Sequence, residues 1–299
     1  MSNTSLFTIV VLIWGSTWLA ITFQFGEIDP ILSVGLRFSF AAVILGTYCF
    51  FKKLSLRLPL HIHFKMALAG LCLYALDYTM LYQSQQYIIS AIVAVMSSCM
   101  VYINVVLRRV LLKKPMRSEV IVGATCGLVG IGLIFKPEFA LISADRLLLL
   151  GIGFAFVSFF FAGLGNVISE RILDHGTPVI QMNFWAMSYG VLCIFAFAFS
   201  QDIVWSIPRN PHYYFSMLYL SLFGSVLAFG AYMKLLRQMG SDKAAYVVLV
   251  YPIVALILST FFEGYQWHIE SVFGVCIVLF GNAIAMGKIP LPMLHSKLS

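Results

Sequence analysis

Apolar runs of about twenty residues follow one another along this chain with only short polar links between them, and few folds can hold such a pattern. A helix needs about 20 mostly apolar residues to cross the hydrocarbon core of a bilayer. Leu6–Phe25, Ile31–Phe51, Phe64–Gln83, Ile88–Leu107 and the short Val120–Phe135 meet that requirement. Leu147–Ser169, Pro178–Ser200, Tyr213–Met233, Ala244–Phe262 and Val272–Met286 meet it again, which makes ten predicted spans. The second is entered through Asp29-Pro30, a capping acid followed by a proline at the helix start. The links are too short for a water-soluble domain. The runs are too long, and lack the period-two alternation, for a membrane barrel.

Composition agrees. The 299 residues are 61% hydrophobic and 10% charged, against about 25% charged in a soluble domain. The formal net charge of +7 does not point to nucleic acid, because the basic residues sit in short runs between apolar segments, as on the anionic face of a membrane. Cys49, Cys72, Cys99, Cys126, Cys193 and Cys276 are scattered through apolar stretches. They show no metal spacing and no disulfide framework, so neither metal nor cofactor is expected. The opening MSNTSLFTIVVLIW has no basic segment and no small-residue cleavage site. It reads as a retained first span and not as a signal peptide.

Loop charge predicts orientation. With the N-terminus in the cytoplasm, inside links carry Lys52, Lys53, Arg57, Lys65, Arg108, Arg109, Lys113, Lys114, Arg117, Arg171, Lys234, Arg237 and Lys243, and the tail adds Lys288 and Lys297. The outside links carry only Lys136, Arg146 and Arg209, and Arg37 lies within a span. Fifteen basic residues against three predict both termini inside and an even number of spans.

Residues 88–134 and 242–285 are weakly similar: Ser90-Ala91 aligns with Lys243-Ala244, and Gly123 and Gly130 with Gly274 and Gly281. Ten spans then divide into two five-helix repeats, residues 1–140 and 141–299. An odd number of spans per repeat forces the second to insert upside down. Inverted repeats of this kind place a binding site at the bilayer midplane between the halves. The expected fold is therefore an all-α integral membrane protein of ten helices in two inverted five-helix repeats, with both termini inside.

Trp14-Gly15-Ser16-Thr17-Trp18 in span one and Gly35-Leu36-Arg37-Phe38 in span two resemble the drug/metabolite transporter superfamily, specifically its EamA-type ten-span group. Tyr82 to Ala91, Ala162 to Arg171, Lys243 to Pro252 and Phe262-Glu263-Gly264 fit the same pattern in order and spacing. Three positions depart from it: Gln85 replaces a usual glutamate, Cys99 a usual proline, and Leu111 to Lys114 a Gly-Glu. The resemblance implies a carrier of small metabolites, often amino acids, with a cavity between the halves and spans five and ten at the periphery.

Several side chains are candidates to line that cavity. Asp77 sits within span three, where a charge costs about 2.5–3.5 kcal/mol and must face protein or water. It can bind a substrate ammonium or a proton, or serve as a structural carboxylate held by hydroxyls or by Arg37. Tyr74, Tyr78 and Tyr82 recur every four residues beside it and predict one aromatic stripe. Trp14 and Ser16 come from span one, with Phe161 and Asn166 at matching depth in span six. Tyr246, Tyr251, Asn104 and Asn282 are weaker polar candidates. Arg37 is a substrate-carboxylate receptor, a coupling residue or a packing anchor. The glycines from Gly123 to Gly132 form a small-residue packing face, and His61 and His63 are expected in a basic inside link.

No metalloprotease motif, nucleophile elbow or carboxylate pair occurs within the spans, so no catalytic residue is expected. The reading is a secondary transporter in the inner (plasma) membrane, monomeric or homodimeric, for a small polar or zwitterionic metabolite. An amino-acid-like substrate is preferred, and protons are a possible coupling ion. A carrier of S-adenosylmethionine or a nucleotide-type metabolite is the rival within transport. A non-transporting membrane sensor or assembly protein is the rival outside it.

Overall fold

The computed structural model describes residues 2–116, 118–134, 136, 146–285 and 289. Phe135, Met286, Arg117, Lys288, Lys297 and the Asn282 side chain lie outside the described residues. Every regular element among those described is helical. In chain order the helices are α1 (Asn3–Thr22), α2 (Pro30–Phe51), α3 (Leu60–Ser84), α4 (Ser90–Met96), α5 (Met100–Leu112) and α6 (Ser118–Ile134). They continue with α7 (Arg146–Asp174), α8 (Val179–Ser200), α9 (Pro211–Met239), α10 (Ser241–Phe262) and α11 (Ile269–Ala285). Seven of these, α1 to α3 and α7 to α10, are long and apolar enough to cross a membrane, and α6 and α11 are shorter apolar helices.

Local chemistry sets the starts. Asp29 Oδ1 accepts from the Ile31 N–H at 2.8 Å, with Pro30 filling the first helical position where no N–H is needed. Asn210 and Pro211 repeat the device at α9, where the Asn210 side chain accepts from the His212 N–H at 3.0 Å. The interiors are less regular than a uniform 3.6-residue period implies. A π-helical stretch interrupts α3 at Leu71–Leu76 and α9 at Leu220–Leu227. A 3-10 turn, Ser97–Cys99, joins α4 to α5. The helix α10 is broken after Ala244, ahead of Pro252.

The outer surface is apolar. Phe50, Leu60 and Phe199 are each more than three-quarters exposed, which costs nothing against lipid. Helix pairing inside relies on small residues. A methyl group on Gly70 of α3 would sit 2.1 Å from the Ala186 carbonyl oxygen of α8. One on Gly274 of α11 would sit 2.3 Å from the Gly130 oxygen of α6, and one on Gly281 2.5 Å from the Gly123 oxygen. Backbones approach this closely only where a Cβ is absent. The predicted glycine face on α6 is therefore occupied within the chain, by α11. His63 departs from its expected place. It lies on α3, its Nδ1 2.8 Å from the Tyr189 hydroxyl and its ring edge-on to Trp185, because the helix starts earlier than the apolar run.

Candidate functional site

Six helices surround a cavity of about 60 Å³. Trp14, Trp18 and Ile21 come from α1, Leu73, Asp77 and Tyr78 from α3. Met100 of α5 and Phe159 and Asn166 of α7 face them, and Phe229 and Tyr232 of α9 with Val248 and Tyr251 of α10 complete the wall. By that measure one water takes about 10–15 Å³, so the space suits a solute of a few heavy atoms.

The carboxylate on this wall is Asp77, 8% exposed. The π stretch of α3 ends at the residue before it. One of its oxygens accepts a hydrogen bond from Ser158 Oγ of α7 at 2.5 Å. Among the described residues no cation lies within ion-pair distance of it. Aromatic rings surround the space. Trp14 packs against Phe229 and Tyr232 at centroid distances of 5.1 and 4.9 Å, and Trp18 against Tyr251 at 5.7 Å. The Trp14 indole N–H donates to the Gly224 carbonyl at 3.1 Å, in the π stretch of α9. The wider turn shifts the helix's own hydrogen-bond register, and Ser225 Oγ also turns back onto the Leu220 carbonyl there.

The structure therefore brings Trp14, Asp77, Tyr78, Asn166 and Tyr251 to one wall and places the other candidates elsewhere. Ser16 faces away, 2.5 Å from the Tyr219 hydroxyl and bonded to the Ile13 carbonyl. Phe161 packs on Phe160. Tyr246 is buried and donates to the Val120 carbonyl at 3.1 Å. Tyr74 reaches Asn183 of α8 at 3.5 Å, and Tyr82 donates to Gln24 at 3.0 Å. Of the tyrosine stripe, Tyr78 alone is on the cavity wall. Tyr74 and Tyr78 both pack on Phe38 and Phe229, and Arg37 meets both Tyr78 and Tyr82, so the three rings stay neighbours although one of them reaches the cavity.

Arg37 is fully buried behind that wall. Its Nε donates to Ser225 Oγ at 3.0 Å, its Nη1 to the Tyr82 hydroxyl at 3.5 Å, and its guanidinium lies 4.7 Å from the centre of the Tyr78 ring. It ties α2 to α3 and α9.

A charged cluster escaped the sequence reading. Arg108 of α5 pairs with Glu170 of α7 at 3.0 Å and with Asp242 of α10 at 2.9 Å. Lys114 bridges Glu170 at 2.9 Å and Asp174 at 2.7 Å, and Ser241 donates to Glu170 from both its N–H and its hydroxyl. Burial alone would pull the Lys114 ammonium down, but its bonds to Asp174 and Glu170 raise it above the usual lysine range. Gly240 reaches φ +87°, where a methyl group would also lie 2.6 Å from Arg108 Nη2. The positive-inside count registers Arg108 and Lys114 only as loop charges. Glu170, just past span six and four residues before Asp174, is the signal in the sequence that could have revealed the partner.

A multi-helix bundle with an apolar outer surface around a small, acid-bearing aromatic cavity is the architecture of a membrane solute carrier. A family model described as the EamA-like transporter family matches residues 3–136 and 149–287, and the chain belongs to that family. It is similar to the uncharacterized transporter YoaV of Bacillus subtilis (strain 168), 28% identical over 289 residues, with 93% of this chain and 96% of the relative covered. The uncharacterized inner membrane transporter YedA of Escherichia coli (strain K12) is 28% identical over 297 residues, covering 94% and 90%. A solved crystal structure shares the fold at 15% identity, with a TM-score of 0.75 over 96% of this chain and 98% of its own. The chain is thus a multi-pass membrane transporter.

Proposed function

We propose that this transporter moves a small polar or zwitterionic metabolite, amino-acid-like, across the inner (plasma) membrane by alternating access. The observation that carries the reading is Asp77: a buried carboxylate with one hydroxyl donor, set in an aromatic cavity between helices from both parts of the chain. Its remaining acceptor capacity suits a substrate ammonium, and it is the proposed proton carrier when the site is empty. Trp14, Tyr78, Asn166 and Tyr251 contact the substrate with it. Ser16, Tyr82, Phe161 and Tyr246 act from behind the wall, and Arg37 holds Tyr78 and Tyr82 in place.

Ten spans in two inverted halves, residues 1–140 and 141–299, with both termini cytoplasmic, complete the proposal. Three features support the halves. The family match falls in two stretches. The contacts Gly130 with Gly274 and Gly123 with Gly281 run antiparallel and are reciprocal under the repeat alignment. The helices α3 and α9 each carry a π stretch. Segment 90–112, α4 and α5 across their turn, supplies the tenth crossing. A sulfonium such as S-adenosylmethionine is the second reading, since aromatic faces beside an acid suit it, but the present cavity volume disfavours so large a solute.

The test is Asp77→Asn in liposomes, with uptake of a screened metabolite followed with and without a pH gradient. The expected result is loss of uptake and of its pH dependence. Unchanged uptake with unchanged pH dependence overturns the role of Asp77.

A further inference from the structure

Two donors on the cavity wall lack partners. The Trp18 indole N–H and the Tyr232 hydroxyl are buried and bond to nothing among the described residues, and the two residues are 5% and 1% exposed. Both line the cavity. Their neighbours are satisfied: Trp14 donates to Gly224 O, Thr17 to Trp14 O at 2.8 Å, and the Tyr251 hydroxyl sits 2.5 Å from Ser97 Oγ. A buried donor left unmet costs stability in any fold, and more so where lipid keeps bulk water away. Keeping two on one small cavity is a cost that a ligand's acceptor oxygens would offset.

Arg37, read as a carboxylate receptor, a coupling residue or a packing anchor, is unsuited to the first of these roles. It does not line the cavity. Two of its nitrogens are engaged; the third, Nη2, is a further buried donor without a partner, but it lies beside Gly224 and not on the cavity. Beside the Tyr78 hydroxyl and the Asn166 amide, the wall thus presents one anionic acceptor, Asp77, and a pair of buried neutral donors without partners, with apolar groups such as Ile21, Leu73 and Phe159 on the same wall.

We propose that Trp18 and Tyr232 form the acceptor-binding pole of this cavity, so that the ligand is a small amine that also carries a carboxylate or carbonyl on an apolar body, its acceptor held by neutral donors and not by Arg37. This rests on the assignment of the amine to Asp77 and deepens it. Neutral donors suit an acceptor that enters and leaves within one transport cycle, because they hold it less tightly than a buried guanidinium would.

The test uses the full-length purified protein and two matched probe sets of a size the cavity admits, glycine and L-alanine, with their decarboxylated amines and their deaminated acids. Calorimetric titration is expected to give amino acids that bind at least about tenfold tighter than the matching amine or acid, the value of a good hydrogen bond. Trp18→Phe and Tyr232→Phe each remove most of that advantage and leave amine binding within about twofold. Tyr232→Phe also raises the thermal midpoint of the ligand-free protein, because the unmet donor goes with little change of shape; a purely structural role for that hydroxyl predicts the opposite sign. Arg37→Lys leaves the ratio of amino acid to amine affinity unchanged. The proposal is overturned if amines bind as well as amino acids, if neither aromatic variant changes the ratio, or if Arg37→Lys abolishes it. If no probe binds, or if Asp77→Asn leaves amine binding intact, the Asp77 reading itself fails and takes this inference with it.

Discussion

Asp77 was legible because a carboxylate inside an apolar run is costly wherever it is found. Trp18 and Tyr232 were not, because an aromatic ring in a span reads the same whether it packs or binds. The difference lies in whether its polar atom has a partner, which only the assembled helices reveal. Ser16 and Phe161 turned away from the cavity for a related reason: α1 and α7 are apolar nearly all round, so periodicity carries little information about which face is inward. Arg37 allows a clear test of its assigned role as a strut. Lysine keeps the charge but cannot reproduce the planar fork that reaches Ser225 and Tyr82 together. Arg37→Lys is expected to destabilise the fold by about 1–3 kcal/mol, read as a lower thermal midpoint in detergent. An unchanged midpoint would remove the strut.

At the level of helices, the sequence located the apolar elements to within a turn or so at most ends. It did not foresee the π stretches in α3 and α9, because a hydrophobic count assumes one period throughout. Nor did it foresee which glycines matter. Gly70 faces a carbonyl of α8, whereas Gly153 of α7 has nothing within 4 Å of where a methyl group would stand. Gly70→Ala must push α3 and α8 apart, at about 1–3 kcal/mol by the usual cost of overpacking. Gly153→Ala should be neutral or slightly stabilising through helix propensity. Comparing the two midpoints checks this, and equal values would mean the α3–α8 contact is looser than the geometry requires.

For the molecule as a whole, the Arg108 cluster joins α5 to α7 and α10, a bond between segments on either side of residue 140. Arg108→Gln would leave Asp242 without its counter-charge and Glu170, 1% exposed, with Lys114 alone. Breaking one partner of a buried pair costs about 3–5 kcal/mol, so a large drop in thermal midpoint is expected. Because the two Arg108 pairs are buried, unlike the exposed Lys114–Asp174 pair, the midpoint of the parent protein should depend little on salt between low and physiological ionic strength. A strong salt dependence would place the cluster in water.

The π stretch before Asp77 carries a geometric consequence. A wide turn holds, in effect, one residue of slack. If Leu71–Leu76 tightened to the ordinary helical period, everything beyond it would rotate by about 100°, the angle of one residue. Asp77 would then swing off the cavity wall with an axial shift of only about 1.5 Å, one residue's rise, and without α3 having to unfold. A like stretch in α9 lies just before Phe229 and Tyr232, so the acid and one of the two unmet donors both sit downstream of a built-in swivel.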